Sequence, residues 1–210
     1  MQIVHLLSVF ALLLFLIGCG PDFDDVIDVN QLVSSGWAKY EAGEFDEALN
    51  LFNQAILADN QNSEAQIGIG WSFFGKQKAQ SAINEFEKAL ILKSDATDAY
   101  VGLSGAYLAV ENYKSAIENA QEALNQQPDY IFEHNPLITK RNLHLVIAKG
   151  YYFLGSLEKS LDSIHIIDES IEIEKSDLES ELPKVLEKKL WEKACNQMRT
   201  KKNTICLLHF

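Results

Sequence analysis

Three cysteines, five histidines and one glycine-rich stretch are the residues here whose types could carry chemistry, and spacing decides what each can do. Within GIGWSFFG (68–75), Gly68 and Gly70 offer the start of a phosphate-cradling turn. Such a turn needs a further glycine at fixed spacing and a strand ahead of it, so that backbone N–H groups face the phosphate. Neither is present, and the glycines read as places where helices pack closely. His5, His134, His144, His165 and His209 include no pair at metal-ligand spacing. His209 follows Cys206 by three residues, but no close cysteine pair or second histidine completes a zinc site. No serine, histidine and acid stand out as a nucleophilic group, and the carboxylates read as solvated faces of amphipathic helices. Cys195 and Cys206 are separated by ten residues, which is neither a zinc nor a thioredoxin spacing. In an oxidising compartment they can form a disulfide worth about 2–3 kcal/mol; two free thiols are the alternative. The expectation is a protein that is not an enzyme and uses no metal or cofactor.

What positions these residues is a repeat. Three segments align without a gap at a period of 34 residues: 29–62, 63–96 and 97–130. They contain GWAKYEAGEFDEALNLFNQAI, GWSFFGKQKAQSAINEFEKAL and SGAYLAVENYKSAIENAQEAL. Ala48, Ala82 and Ala116 fall in register, then Phe52, Phe86 and Ala120, then Ala55, Ala89 and Ala123. A small residue where two helices cross lets their axes approach, and an aromatic four residues on fills the space beside them. Each unit alone leaves an apolar face uncovered, so the units must stack. A fourth unit, AKGYYFLGSLEKSLDSIHII, follows out of phase, with Ala148, Tyr151, Ser160 and Ile164 at the key positions. It spans 141–174 and leaves IFEHNPLITK, 131–140, as an insertion.

This pattern resembles the tetratricopeptide repeat, a helix-turn-helix unit of the same period, over about two-thirds of the chain. Gly36 and Gly70 fall on its small first-helix position, where Ser104 stands in the third unit. The resemblance implies an all-α fold, a right-handed superhelical array of helix-turn-helix units. Such arrays need a terminal cap with one polar face, and LPKVLEKKLWEKACNQM suits that role, with Pro183 expected in the first turn of a capping helix. The segment 175–210 is thus read as that helix and an unassigned tail.

The start of the chain bears on where the repeats work. Residues 3–17 are almost wholly apolar, shorter than the roughly 20 residues of a spanning helix, and read as the core of a leader peptide. Leu16-Ile17-Gly18-Cys19 resembles the lipobox of bacterial lipoproteins, although the usual positive start is missing. That resemblance implies a leader of 1–18, lipidation at Cys19, and an acidic tether over 19–28. More than one acyl chain would make the membrane anchor stable. The expected location is the bacterial cell envelope, with the outer membrane facing the periplasm favoured by Gly20 after the cysteine. Residues 19–182 carry a net charge of −17 and residues 183–210 one of +5. An acidic body of this kind repels nucleic acid.

Family members commonly bind partners on the concave surface, lined by positions 2, 5, 9, 12 and 13 of each unit. The resemblance therefore carries a partner groove onto Val33, Trp37, Tyr40, Ile67, Trp71, Phe74, Leu108, Lys149, Tyr152 and Phe153. Trp37 and Trp71 stand one repeat apart at the same position, and aromatic side chains dominate binding energy at interfaces. Packing as ordinary core is the other reading of these residues. The carboxylate-clamping subtype needs lysine and asparagine where this chain has Val33 and Trp37, Ile67 and Trp71, Val101 and Gly105, and is set aside. Long inserts in repeat arrays often serve binding, which makes Phe132 and His134 a second candidate site. The expected function is an envelope lipoprotein that scaffolds a protein or peptide partner. A glycan or small ligand stacking on tryptophan is the alternative.

Overall fold

A computed structural model describes residues 28–187. Nine α-helices occur among them: α1 Val29–Glu41, α2 Phe45–Ala58, α3 Ser63–Gly75, α4 Ala79–Leu92, α5 Thr97–Ala109, α6 Tyr113–Gln126, α7 Lys140–Phe153, α8 Leu157–Ile167 and α9 Leu178–Lys184. No strand is present among the described residues. The helices pack in consecutive antiparallel pairs, and the pairs stack into a superhelical array. Within it the first helices of neighbouring pairs, α1 with α3, α3 with α5 and α5 with α7, also meet one another and so line the inner side.

Local chemistry starts the helices. Asp28, read from sequence only as part of a hydrated tether, caps α1: its carboxylate accepts from the N–H groups of Asn30 at 3.0 Å and Gln31 at 3.2 Å. Asn62 caps α3 by accepting from Ala65 N–H at 2.8 Å, and Thr139 forms a capping box with Asn142 at the start of α7. The turn inside each pair places one residue in the left-handed region: Gly43, Gln77, Glu111 and Gly155, with φ of 78°, 59°, 60° and 73°. The first and last pairs use glycine there, and Gln77 and Glu111 hold a conformation that L side chains resist.

Two phenylalanines knit the first three pairs together. The Phe52 ring lies between Gly36 of α1 and Gly68 of α3, and the Phe86 ring lies between Gly70 of α3 and Gly102 of α5. A Cβ at Gly36 or Gly70 would stand 2.6 Å from these rings, and one at Gly68 or Gly102 closer still. The GxG of 68–75 therefore serves two rings from two successive second helices. In the third pair Ala120 leaves no ring, and Ile117 packs against Gly150 instead. The register alanines 48, 55, 82, 89, 116 and 123 are all completely buried, since any larger residue would push the helix axes apart. Ser160 occupies that small slot in the fourth pair, and its hydroxyl donates to the Ala148 carbonyl at 2.7 Å.

Gly102→Ala tests the ring-between-glycines arrangement. Alanine gains about 1 kcal/mol of helix propensity over glycine, while overpacking a tight core costs about 1–3 kcal/mol. The Phe86 ring cannot retreat, being held by Gly70 on its other face and by the Trp71 edge at 5.5 Å. With a Cβ only 2.2 Å from the ring the overpacking sits in the upper part of its range, and urea denaturation should show a net loss of about 1–2 kcal/mol. A gain in stability would mean the ring is free to move.

At the far end α9 covers the fourth pair with buried Leu178 and Leu182, followed by buried Val185 and Leu186. Pro183 does not open this helix as expected; it lies inside one that begins at Leu178. The rest of the expected capping helix, from residue 188 on, lies outside the described residues, as do Cys19, Cys195 and Cys206.

Candidate functional site

Residues 130–140 leave the end of α6 and turn back across the inner side of the array. The segment is tied internally by Phe132 N–H donating to the Ile138 carbonyl at 2.9 Å, Lys140 N–H to the Tyr130 carbonyl at 2.9 Å, and Ile138 N–H to the Asn135 carbonyl at 2.8 Å. Ile131 and Thr139 form an isolated antiparallel bridge. The result is a short folded finger whose side chains reach α1, α3 and α5.

Phe132 is the finger's tip and is fully buried. Its ring stacks on Trp71 of α3, with centroids 4.5 Å apart and planes 23° apart. It also meets Trp37 edge-on at 6.0 Å and Tyr40 at 6.3 Å. His134 stacks flat on Trp37, 3.7 Å between centroids and 6° between planes, and its Nδ1 lies 2.9 Å from Glu41 Oε1. Trp37 Nε1–H donates to Glu64 at 3.2 Å. Trp71 Nε1–H, equally buried, finds no acceptor among the described residues. Offset and edge-on contacts of this kind contribute about 0.5–1.5 kcal/mol each beyond burial.

Tyr130 holds the base of the finger. Its hydroxyl donates to Asp98 Oδ1 of α5 at 2.7 Å. Burial pushes the Asp98 carboxyl above its ordinary range, and the Tyr130 hydrogen bond only partly offsets this. Burial first, and then the Asp98 charge, push the Tyr130 phenol upward as well. The folded chain thus holds the Asp98 proton more tightly than the unfolded chain. The stability this lends is fully present below the ordinary aspartate value of about 3.9 and is lost as pH rises through the folded value. Tyr130→Phe should cost about 1–2 kcal/mol at neutral pH, a charged hydrogen bond discounted for partial exposure, and less in acid. Asp98→Asn keeps an acceptor and removes the charge, so it should be at least as stable as the native chain at pH 7, with the gap closing in acid. Thermal melts at pH 4 and pH 7 check both; a pH-independent Tyr130→Phe effect would remove Asp98 as its partner.

The two candidates read separately from sequence are therefore one cluster: Trp37, Tyr40 and Trp71 form a seat, and Phe132 and His134 fill it. Val33, Ile67 and Phe74 are buried beside them. Leu108 and Lys149 are also buried but further along the array, where burial lowers the Lys149 pKa against the opposing charge of Glu187. Tyr152 is half-buried, and Phe153 is exposed and stacks on Tyr113 of α6 at 4.7 Å, away from the tryptophans. Tyr130, Asp98, Glu41 and Glu64 were not singled out from sequence. The only hint of their role is that the insertion begins next to a tyrosine and carries an aromatic tip.

Beside the Trp37–His134 stack an open cleft of about 430 Å³ is bordered by Ser34, Glu41, Glu64 and Glu133. No group of three or more His, Cys, Asp or Glu among the described residues is placed to hold a metal ion. His144 is half-buried on α7, and burial, then Lys140, lower its pKa. No described helix is long and apolar enough to cross a membrane.

This arrangement, consecutive helix pairs with first helices lining an inner face on which a short folded segment sits, defines a helical-repeat array. The tetratricopeptide-repeat family model matches residues 34–99 and 68–131, so residues 34–131 are tetratricopeptide repeats. Solved structures share the fold. A crystal structure of MamA is 20% identical with a TM-score of 0.58, covering 68% of this chain and 77% of that one. The thermophilic tetratricopeptide-repeat protein TTC0263 of Thermus thermophilus is 19% identical with a TM-score of 0.54, covering 84% and 91%. The first such domain of Spaghetti (RPAP3), bound to the HSP90 peptide SRMEEVD, is 19% identical with a TM-score of 0.53, covering 60% and 93%. At these identities the likeness shows the fold. No curated protein matches the chain.

Proposed function

We propose that this protein is an interaction scaffold that holds a segment of a protein partner on the inner face of its repeats, and that it works in the cell envelope, moored by lipid at Cys19. The observation that carries the binding reading is the finger itself: the inner face accommodates a non-helical segment through an aromatic anchor and flanking polar bonds. A neighbour of the same fold that is bound to an HSP90 peptide supports a peptide-binding use of the fold. Trp37 and Trp71 are 4% and 1% exposed, so the stacking surface on which a glycan reading relied is covered.

The test uses a photo-crosslinking residue at Ser34, exposed on the rim of the cleft. In cells it should trap one discrete protein, and Cys19→Ala should lose palmitate labelling and the membrane association of the adduct. No adduct at Ser34 would overturn the scaffold, and unchanged labelling would overturn the anchor.

A further inference from the structure

Phe132 enters a seat whose walls, Trp37, Tyr40 and Trp71, all come from the first helices of the repeats. The pairs are joined by Phe52, Phe86, Ile117 and the buried alanines, which come from the second helices of the pairs and not from the finger. The finger is also the one place where the described chain departs from its 34-residue phase. It spans 93 residues to put His134 against Glu41, an exposed carboxylate. It buries the Trp71 indole completely and yet leaves its N–H without an acceptor. A buried donor left unpaired is costly, and native structures seldom keep one. An incoming backbone brings a carbonyl every residue, whereas in the folded finger the carbonyls of Tyr130, Phe132, Asn135 and Ile138 accept from the finger itself and none reaches the Trp71 N–H. The seat therefore has an aromatic-sized recess, an unsatisfied donor at its floor, and an open cleft with carboxylates alongside.

We propose that the seat formed by Trp37, Tyr40 and Trp71 is a receptor for a phenylalanine-anchored peptide bearing a basic or imidazole side chain two residues later, and that residues 131–140 are its resident self-ligand. This rests on the inner face being a peptide-binding surface. The finger states the chemistry of the partner: an aromatic ring for the recess, then a group that stacks on Trp37 and faces Glu41. Glu64, which stays on the cleft when the finger leaves, favours a positive charge on the rest of the partner. A partner must displace the finger, so its apparent affinity is reduced by the fraction of chains in which the seat is open.

The probe is a synthetic peptide of residues 129–139, DYIFEHNPLIT, measured by calorimetry against the full-length chain. A variant with 132–138 replaced by glycine and serine should bind it at least tenfold more tightly than the native chain does. The same peptide carrying Phe132→Ala should lose at least tenfold. Should the linker variant fail to fold, judged by its helical circular dichroism, the double variant Tyr130→Phe/His134→Ala loosens the finger while keeping Phe132. It should bind the peptide several-fold more tightly than native. Equal binding by native and opened chains, or indifference to Phe132→Ala in the peptide, overturns the proposal. The scaffold reading fails separately: a protein trapped at Ser34 to the same extent in native and opened chains leaves the scaffold standing without the self-ligand. Peptide binding with nothing trapped in the envelope does the reverse.

Discussion

Phe86→Ala should destabilise the chain by about 3–5 kcal/mol, the range for deleting a buried aromatic ring. The ring is completely buried, and both walls of its slot are backbone at Gly70 and Gly102. Walls without side chains cannot lean in to fill the space, so the cavity should persist and the loss should sit at the upper part of that range. Phe86→Leu fills much of the slot and should cost clearly less. Because stability in stacked repeats is a sum of unit and nearest-neighbour terms, the loss should appear at the junction of the second and third pairs. Hydrogen exchange should then show α3 to α6 opening more than α7 and α8. A loss below about 1 kcal/mol, by urea denaturation, would mean that the helices close over the gap, contrary to the overpacking expected at Gly102.

Trp71→Ala should be nearly as severe, and Trp71→Phe nearly silent. The indole contacts Phe74, Phe86, Phe132 and Tyr40 by ring geometry, so truncation to alanine removes the floor of the seat as well as core volume. The transfer and cavity cost of about 3–5 kcal/mol is offset in part, because deleting the indole also deletes an unpaired buried N–H that costs about 1–3 kcal/mol. Taking about 1 kcal/mol for that relief, the net expectation is a loss of about 2–4 kcal/mol. Trp71→Phe gives up ring area but relieves the same orphan donor, so the two effects should roughly cancel. Limited proteolysis supplies the second reading: Trp71→Ala should expose cleavage within 131–140, and Trp71→Phe should not. If both variants lose equally, the indole N–H has an acceptor in solution and its burial carries no penalty. The severity of Trp71→Ala also makes it unsuitable as a surface variant for binding work, for which exposed Ser34 is the better position.

The helix pairs were legible because helix packing is a local, periodic problem. Ala48, Ala82 and Ala116 recur every 34 residues since each faces the same crossing in a repeated unit, and Phe52 and Phe86 follow at a fixed helical step. Even the left-handed turn residues 43, 77 and 111 obey the period, though only Gly43 announces itself by type. Asp28 shows the limit of such reading: an acid beside other acids looked like tether until the helix that it caps was in view. Pro183 shows it again, since helix α9 begins five residues earlier on the strength of Leu178 and Leu182 packing against the fourth pair, which outweighs the usual preference of proline for a first turn.

Sequence by itself thus determined the all-helical repeat and the aromatic character of Trp37 and Trp71. Only the tertiary structure decided that Phe132 and His134 sit on those tryptophans. An irregular finger has no period to reveal its direction. Where its tip lands depends on how far the stacked pairs have curved by the time the chain leaves α6. The contacts of His134 with Glu41 and of Tyr130 with Asp98 join residues 93 and 32 positions apart, and no local rule couples them. The superhelix brings α1, α3 and α5 to one inner side, and that curvature turns an aromatic stripe and a loop into a filled site.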